Sequence, residues 1–228
     1  GMDLDLCKRA DPSRSEMAAR VMDRALEMAG KSAFDIQLLD IYSCFPCAVT
    51  AVSDHIGLEP GGELTLTGGL PYFGGPGNSY SMHGLAEMWS QIRRDPAQYA
   101  LVHANGGVLS KHATGVYSCV PSDTDWSKAD TVIGTEELAR AEQIDDPGTG
   151  TIISYSVNYF KGEPAQGIAL CETDDGKRFC CCTAPQDLAT VNEMLNSEPA
   201  GRRVAVTALQ EQPDTLHFKF LPLPGNLE

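Results

Sequence analysis

The stretch DIQLLDIYSCFPCAVTAVSDHIG, residues 35–57, limits the fold more than any other. Its first half, Ile36 to Tyr42, is a short, mostly apolar run that reads as a strand. A run of that kind is expected where both faces of a sheet are covered. Its second half reads as a helix from about Pro46 to Ile56, carrying Val49, Val52 and Ile56 at helical spacing. Upstream lies an amphipathic helix over residues 13–30. Ser13 and Glu16 form a capping box at its start, Met17, Val21, Met22, Ala25, Leu26 and Ala29 form its apolar stripe, and Gly30 is its stop. Downstream, Leu64–Thr67 reads as a strand and Ser79–Arg94 as a helix ended by Asp95-Pro96. Tyr99–His103 is a strand, ANGG a turn, and His112–Cys119 a returning strand. Such alternation predicts a layered α/β sheet.

Residues 121–149 change character. They are polar and acidic, carry a short predicted helix at Glu136–Glu142, and read as a linker. From 150 to 228 strands dominate: Thr151–Phe160, Ala165–Thr173 and Lys177–Thr183, with the hairpin turn DDGK between the last two. A helix over about Pro185–Asn196 and strands Arg202–Leu209 and Leu216–Leu221 follow. That order fits a small OB-like barrel or a split β-α-β sheet. The organisation expected is therefore 1–120, a linker 121–149, and a small β-rich domain 150–228.

Charge and cysteine usage narrow the function. The formal net charge of −14 repels nucleic acid and anionic membrane. Residues 150–228 carry a net −4, without the basic face of a nucleic-acid-binding barrel, although Tyr155, Tyr159, Phe160, Phe179, Phe218 and Phe220 supply aromatics. No apolar run is long enough to span a bilayer, and no secretory signal pattern opens the sequence. The eight cysteines show no disulfide framework, so reduced thiols in the cytoplasm are expected.

Cys44-x-x-Cys47 sits between strand and helix. A thiol at a helix N-terminus has its thiolate favoured by the dipole, which suits a redox pair, a metal ligand or an acid/base. Zinc needs two further ligands, and no second CxxC supplies them. Cys180-Cys181-Cys182 lies in the other domain, where a strand points neighbours to opposite faces, so no metal site is expected. Cys47 reads as a packing residue. Two glycine-rich segments follow, TGGLPYFGGPGNSYSMHG at 67–84 and ANGG at 104–107. Glycine at this density permits close approach by backbone or ligand. The helix N-terminus after Asn78 suits an anion or an oxyanion.

The order strand–SCF–helix, GGL…GGPGN–helix, strand–ANGG–strand resembles the C-terminal half of the thiolase superfamily. It looks closest to sterol-carrier-protein-type thiolases and related acetyl-CoA acetyltransferase-like proteins. The resemblance covers about residues 10–120, and 150–228 resembles the C-terminal domain added in thiolase-like proteins. It implies acyl-CoA as substrate, no covalently bound cofactor, and condensation or thiolysis at a carbon–carbon bond beside a thioester. The acid/base work and the oxyanion that such a reaction needs explain the family's residue set.

The resemblance places Cys44 where the sterol-carrier type keeps its acid/base cysteine. Tyr42 falls where the family has Asn or His, and Gly75, within Gly74-Gly75-Pro76, falls where it has a histidine. His83 is a candidate to replace that histidine, and His112 a candidate to line the same cleft. Ala104 stands where the family has a further cysteine, and Asn105 beside it can offer an amide to an oxyanion. Gly74, Gly75, Gly77, Asn78, Gly106 and Gly107 are the implied substrate-binding positions. The family's nucleophilic cysteine belongs to an N-terminal half that this sequence lacks. A partner is therefore implied, either that half or a second copy covering the exposed sheet face. The alternative is a degenerate thiolase-like protein that binds acyl-CoA or a partner without turnover, and a dithiol oxidoreductase at Cys44/Cys47 is a third reading.

Overall fold

The computed structural model describes residues 1–58, 63–125, 127, 129 and 131–222. They form two compact units, residues 1–5 with 11–138, and residues 6–10 with 139 onward.

In the first unit a mixed sheet of three strands runs in the order β1 (Leu38–Ile41), β2 (Tyr99–Gly106), β3 (Lys111–Ser118). β1 and β2 are parallel, with Ile41 beside His103, and β2 and β3 are antiparallel. Alternation along the strands sends Leu39, Ile41 and Leu101 to one face. There they pack with Ala18, Met22 and Leu26 of α1 (Glu16–Ala29) and Val52 of α2 (Pro46–Ser53). Ala100 and Val102 point the other way and pack with Met88 and Ile92 of α4 (Tyr80–Ile92), beyond the single turn α3 (Leu70–Phe73). Both faces of β1 are thus covered, as its composition predicts.

Three local expectations fail here. The N-cap of α1 is Ser15, whose Oγ accepts from Ala18 N–H, and not Ser13. Asp11 wins Ser13 first, taking both its backbone N–H and its hydroxyl in a local turn. Among the described residues Leu64–Thr67 makes one bridge, Asp40 with Thr65, and the Thr67 N–H donates to the Asp40 carboxylate at 2.9 Å instead of extending a ladder. Asn105 and Gly106 are not a turn but the last pairs of β2, opposite His112 and Lys111, so the chain reverses at 107–110.

The second unit is a closed barrel of β4 (Thr149–Phe160), β5 (Glu163–Glu172), β6 (Arg178–Cys182), β7 (Arg203–Leu209) and β8 (Gln212–Phe220). The strand order around it is β4-β5-β6-β8-β7, with α5 (Leu188–Asn196) between β6 and β7. Ile152, Cys171, Phe179, Met194, Val204 and Phe218 are among the side chains of its core. The predicted hairpin closes where Thr173 N–H meets the Lys177 carbonyl at 2.8 Å. The helix expected at 136–142 is absent. A 3-10 turn at Thr135–Glu137 is followed by extended chain, because Arg140 and Gln143 bridge to Arg9 and Arg178 and Ala141 N–H donates to the Lys8 carbonyl. No helix among the described residues is long and apolar enough to cross a membrane.

Candidate functional site

β1 ends at Ile41, and Tyr42 N–H still donates to the His103 carbonyl at 3.2 Å. Ser43, Cys44 and Phe45 then turn the chain into α2, with Pro46 at the first helical position, where its missing N–H costs nothing. Cys44 is half-buried, and both Cys44 and Cys47 are free thiols. Burial pushes the Cys44 thiol up, outweighing the backbone donors at the turn that favour thiolate. The expectation of a lowered value at this helix N-terminus is therefore overturned: Cys44 is held as a thiol. Cys47 is exposed, so it is not the packing residue its sequence context suggests.

The first glycine-rich segment meets this turn directly. A Cβ on Gly69, whose φ is +81, would lie 2.6 Å from Ser43 Oγ, so only glycine lets the loop lie against the residue before Cys44. The Tyr80 ring is fully buried, and its hydroxyl lies 3.2 Å from Thr67 Oγ1 and 3.3 Å from Ser43 Oγ. Tyr42 packs edge-on against Tyr80, with centroids 4.9 Å apart. Burial, with Cys44 and Tyr80 nearby, pushes the Tyr42 phenol up and keeps it a hydrogen-bond donor. His83, one turn into α4, lies 6.5 Å from the Tyr80 ring and 5.4 Å from Phe73, and its Nδ1 is buried without a partner among the described residues. Tyr42, Tyr80, His83 and Phe73 thus form one run of ring contacts leading from Cys44. Gly74, Gly75, Gly77 and Asn78 are exposed, and Ser79 makes no side-chain cap at the start of α4.

The end of β2 supplies the third part. Asn105 Nδ2 donates to Cys44 Sγ at 3.6 Å, joining positions 61 residues apart. Gly106 and Gly107 lie just beyond and are exposed. His112 is buried rather than open to a cleft. Its Nδ1 lies 3.3 Å from His103 Nε2, and its Nε2 3.1 Å from Ser15 Oγ. Tyr42, Cys44 and Asn105 therefore come together, His83 connects through Tyr80, and His112 stands behind Asn105 across the ladder. Sequence reasoning missed His103, Ser43 and Tyr80. Strand alternation two residues before Asn105 was the available signal for His103. Among the described residues no group of three His, Cys, Asp or Glu side chains can hold a metal.

No protein-family model matches the chain, and no curated protein matches it. Among solved structures it is similar to a monomeric SCP2-thiolase like protein type 1 from Mycobacterium smegmatis, with 35% identity and a TM-score of 0.79. The match covers 96% of this chain and 49% of that one, so the chain spans about half the length of its structural relative. The fold is thiolase-like.

Proposed function

We propose that this chain is the C-terminal half of a thiolase-like acyl-CoA acyltransferase, with Cys44 as its acid/base thiol. The observation that carries the reading is the contact of Asn105 Nδ2 with Cys44 Sγ, which joins the strand-to-helix turn to the end of β2. In the cleavage direction, the nucleophilic thiolate supplied by the N-terminal half forms a thioester bond to the β-carbonyl carbon of a 3-ketoacyl-CoA, and the bond from that carbon to the α-carbon breaks, its electron pair passing to the departing acyl-CoA enolate. Cys44 S–H then gives its proton to the α-carbon of the departing enolate, forming a C–H bond and leaving thiolate. In the condensation direction the thiolate takes that proton back. A thiol held protonated by burial suits the first role. The Tyr42 phenol, also held protonated, and the Asn105 amide supply donors where charge develops on the thioester oxygen. The nucleophile and the cover over the site belong to an N-terminal half, or a second copy serves as the partner. We read the barrel as an OB-like domain, from its five strands and the helix between the third and fourth. The free cysteines suit the cytoplasm.

A binding protein without turnover is the second reading. Gly75 at the family's histidine position and Ala104 at its cysteine position favour it, as does the exposure of Gly74, Gly75, Gly77 and Asn78. One experiment separates the two. The full-length protein is assayed for thiolysis of 3-ketoacyl-CoA and for a thermal shift with coenzyme A, beside Cys44→Ser. Thiolysis lost in Cys44→Ser supports the acyltransferase. A thermal shift with no cleavage supports the binding protein, and neither result would sink both.

A further inference from the structure

A buried polar chain in the first unit has no part in the acyl chemistry above. Asp3, Ser15, His112 and His103 are all buried. Ser15 Oγ donates to Asp3 Oδ2 at 2.6 Å and accepts from Ala18 N–H. A hydroxyl has one proton, so His112 Nε2, 3.1 Å from Ser15 Oγ, is the donor in that contact. The Leu109 carbonyl, 3.2 Å from the same nitrogen, can only accept and requires the same assignment. In a neutral His112 this leaves Nδ1 bare, and it accepts from His103 Nε2–H at 3.3 Å. With His112 neutral, the chain fixes one tautomer of His103 and leaves its Nδ1 as a bare lone pair. Burial, with the second imidazole beside it, pushes His103 down to about 3.

His103 Nδ1 is buried and lacks a partner among the described residues, and so do Asn105 Oδ1 and Thr114 Oγ1. Strand alternation puts His103 and Asn105 on one face of the sheet. Register sets Thr114 opposite His103 and His112 opposite Asn105, and directly paired residues point the same way. The set is two acceptors and one hydroxyl. The single hydroxyl proton cannot serve both acceptors. A water molecule can, because it brings two protons and two lone pairs, and three polar partners fall within the number a buried water needs.

We propose that His103 Nδ1, Asn105 Oδ1 and Thr114 Oγ1 form a binding site for one water molecule, which orients the Asn105 amide toward Cys44. The water donates to His103 and Asn105 and accepts from Thr114. With Oδ1 so engaged, Nδ2 is turned to the sulfur. His103 and Thr114 are positioning residues that act through Asn105. His103 does not act as a base for Cys44: it is held near 3 while the thiol is pushed above its ordinary value, so the proton stays on sulfur.

The water site itself does not depend on the acyl-CoA reading; only its catalytic consequence does. A crystal structure of the full-length protein with ordered solvent tests it. The expected result is one peak within hydrogen-bonding distance of all three atoms; no such peak, or direct pairing among the three, overturns it. Thr114→Val, which keeps the shape and removes the hydroxyl, tests the positioning role. Alkylation of Cys44 by iodoacetamide, followed on its own peptide by mass spectrometry across pH, is expected to slow roughly five-fold at fixed pH, the equivalent of one hydrogen bond. Thr114→Ser is expected to restore the rate. An unchanged rate in Thr114→Val overturns the positioning role. Failure of every form to cleave thioesters counts against the acyl-CoA reading and leaves both of these results standing.

Discussion

Cys44 and Cys47 are three residues apart, yet their surroundings differ in kind. Cys44 is half-buried with its thiol pushed up, and Cys47 is exposed on α2. Alkylation follows the thiolate fraction and access. Iodoacetamide at pH 8 is therefore expected to modify Cys47 well before Cys44, with Cys44 catching up only at higher pH. Peptide mass spectrometry at timed intervals checks this, and equal rates would contradict the burial argument. A thioredoxin-type pair needs the opposite pattern, a low thiol at the helix N-terminus. His103 makes a second residue-level prediction. Its folded value is about 3 against 6.5 for the unfolded chain. Below 6.5 the unfolded chain binds a proton that the folded chain refuses, so this contribution to stability is complete above 6.5 and is lost as pH falls toward 3. The loss is up to about 5 kcal/mol over the whole interval. Urea midpoints at pH 7 and pH 4 measure it, and His103→Asn should flatten the difference; an undiminished slope in that variant would assign the effect to other groups.

At the scale of elements, the site depends on backbones that approach one another too closely for side chains. Gly69 lies against Ser43, and Gly84 of α4 lies against Asp40 of β1, where a Cβ would sit 3.2 Å from the carboxyl carbon. Asp40 cannot yield easily, because it is buried and holds the Thr67 N–H. Gly69→Ala meets both a contact of 2.6 Å and a φ of +81. It is expected to cost about 2 kcal/mol and to displace the Cys44 turn. Gly84→Ala gains helix propensity yet loses more to the clash, for a net cost of about 1 kcal/mol, while Cys44 alkylation stays unchanged. Chemical denaturation and alkylation of the two variants separate these effects. If Gly69→Ala left both stability and alkylation unaltered, the loop would not be seated on Ser43. Much of this level was legible beforehand. The apolar stripe of α1, the doubly covered β1 and the run of strands after Thr149 follow from periodicity and composition. Other features were not legible, for identifiable reasons. Ser13 and Ser15 are equivalent as capping residues until Asp11 claims one of them. Glu136–Glu142 has helical composition, but partners distant in sequence take its backbone groups. His103 looks like an ordinary strand residue until its tautomer is traced through Ser15, which lies 97 residues from His112.

For the molecule as a whole, the three segments that meet at Cys44 each end in an exposed apolar side chain. Phe45 is 68% exposed, Tyr72 83% and Val108 97%. They belong to the turn before α2, the single turn α3 after Gly69 and the reversal after β2. Scattered exposed apolar residues are ordinary, but a group placed around one site marks a binding or interaction surface. The structural relative is about twice as long as this chain. On the acyltransferase reading, the remaining half packs over Cys44 and shields it from water, which electrostatic stabilisation of an oxyanion requires. Hydroxyl-radical footprinting of this chain alone and of this chain combined with a thiolase N-terminal half tests this. Oxidation of Phe45 and Tyr72 should fall several-fold in the combined form, while Tyr159 and Phe160 on the barrel, which are also exposed, serve as internal references and stay unchanged. Equal protection everywhere would indicate general compaction. Protection of the barrel residues alone would place the partner surface on the second unit and remove the ground for a shielded thiol at Cys44.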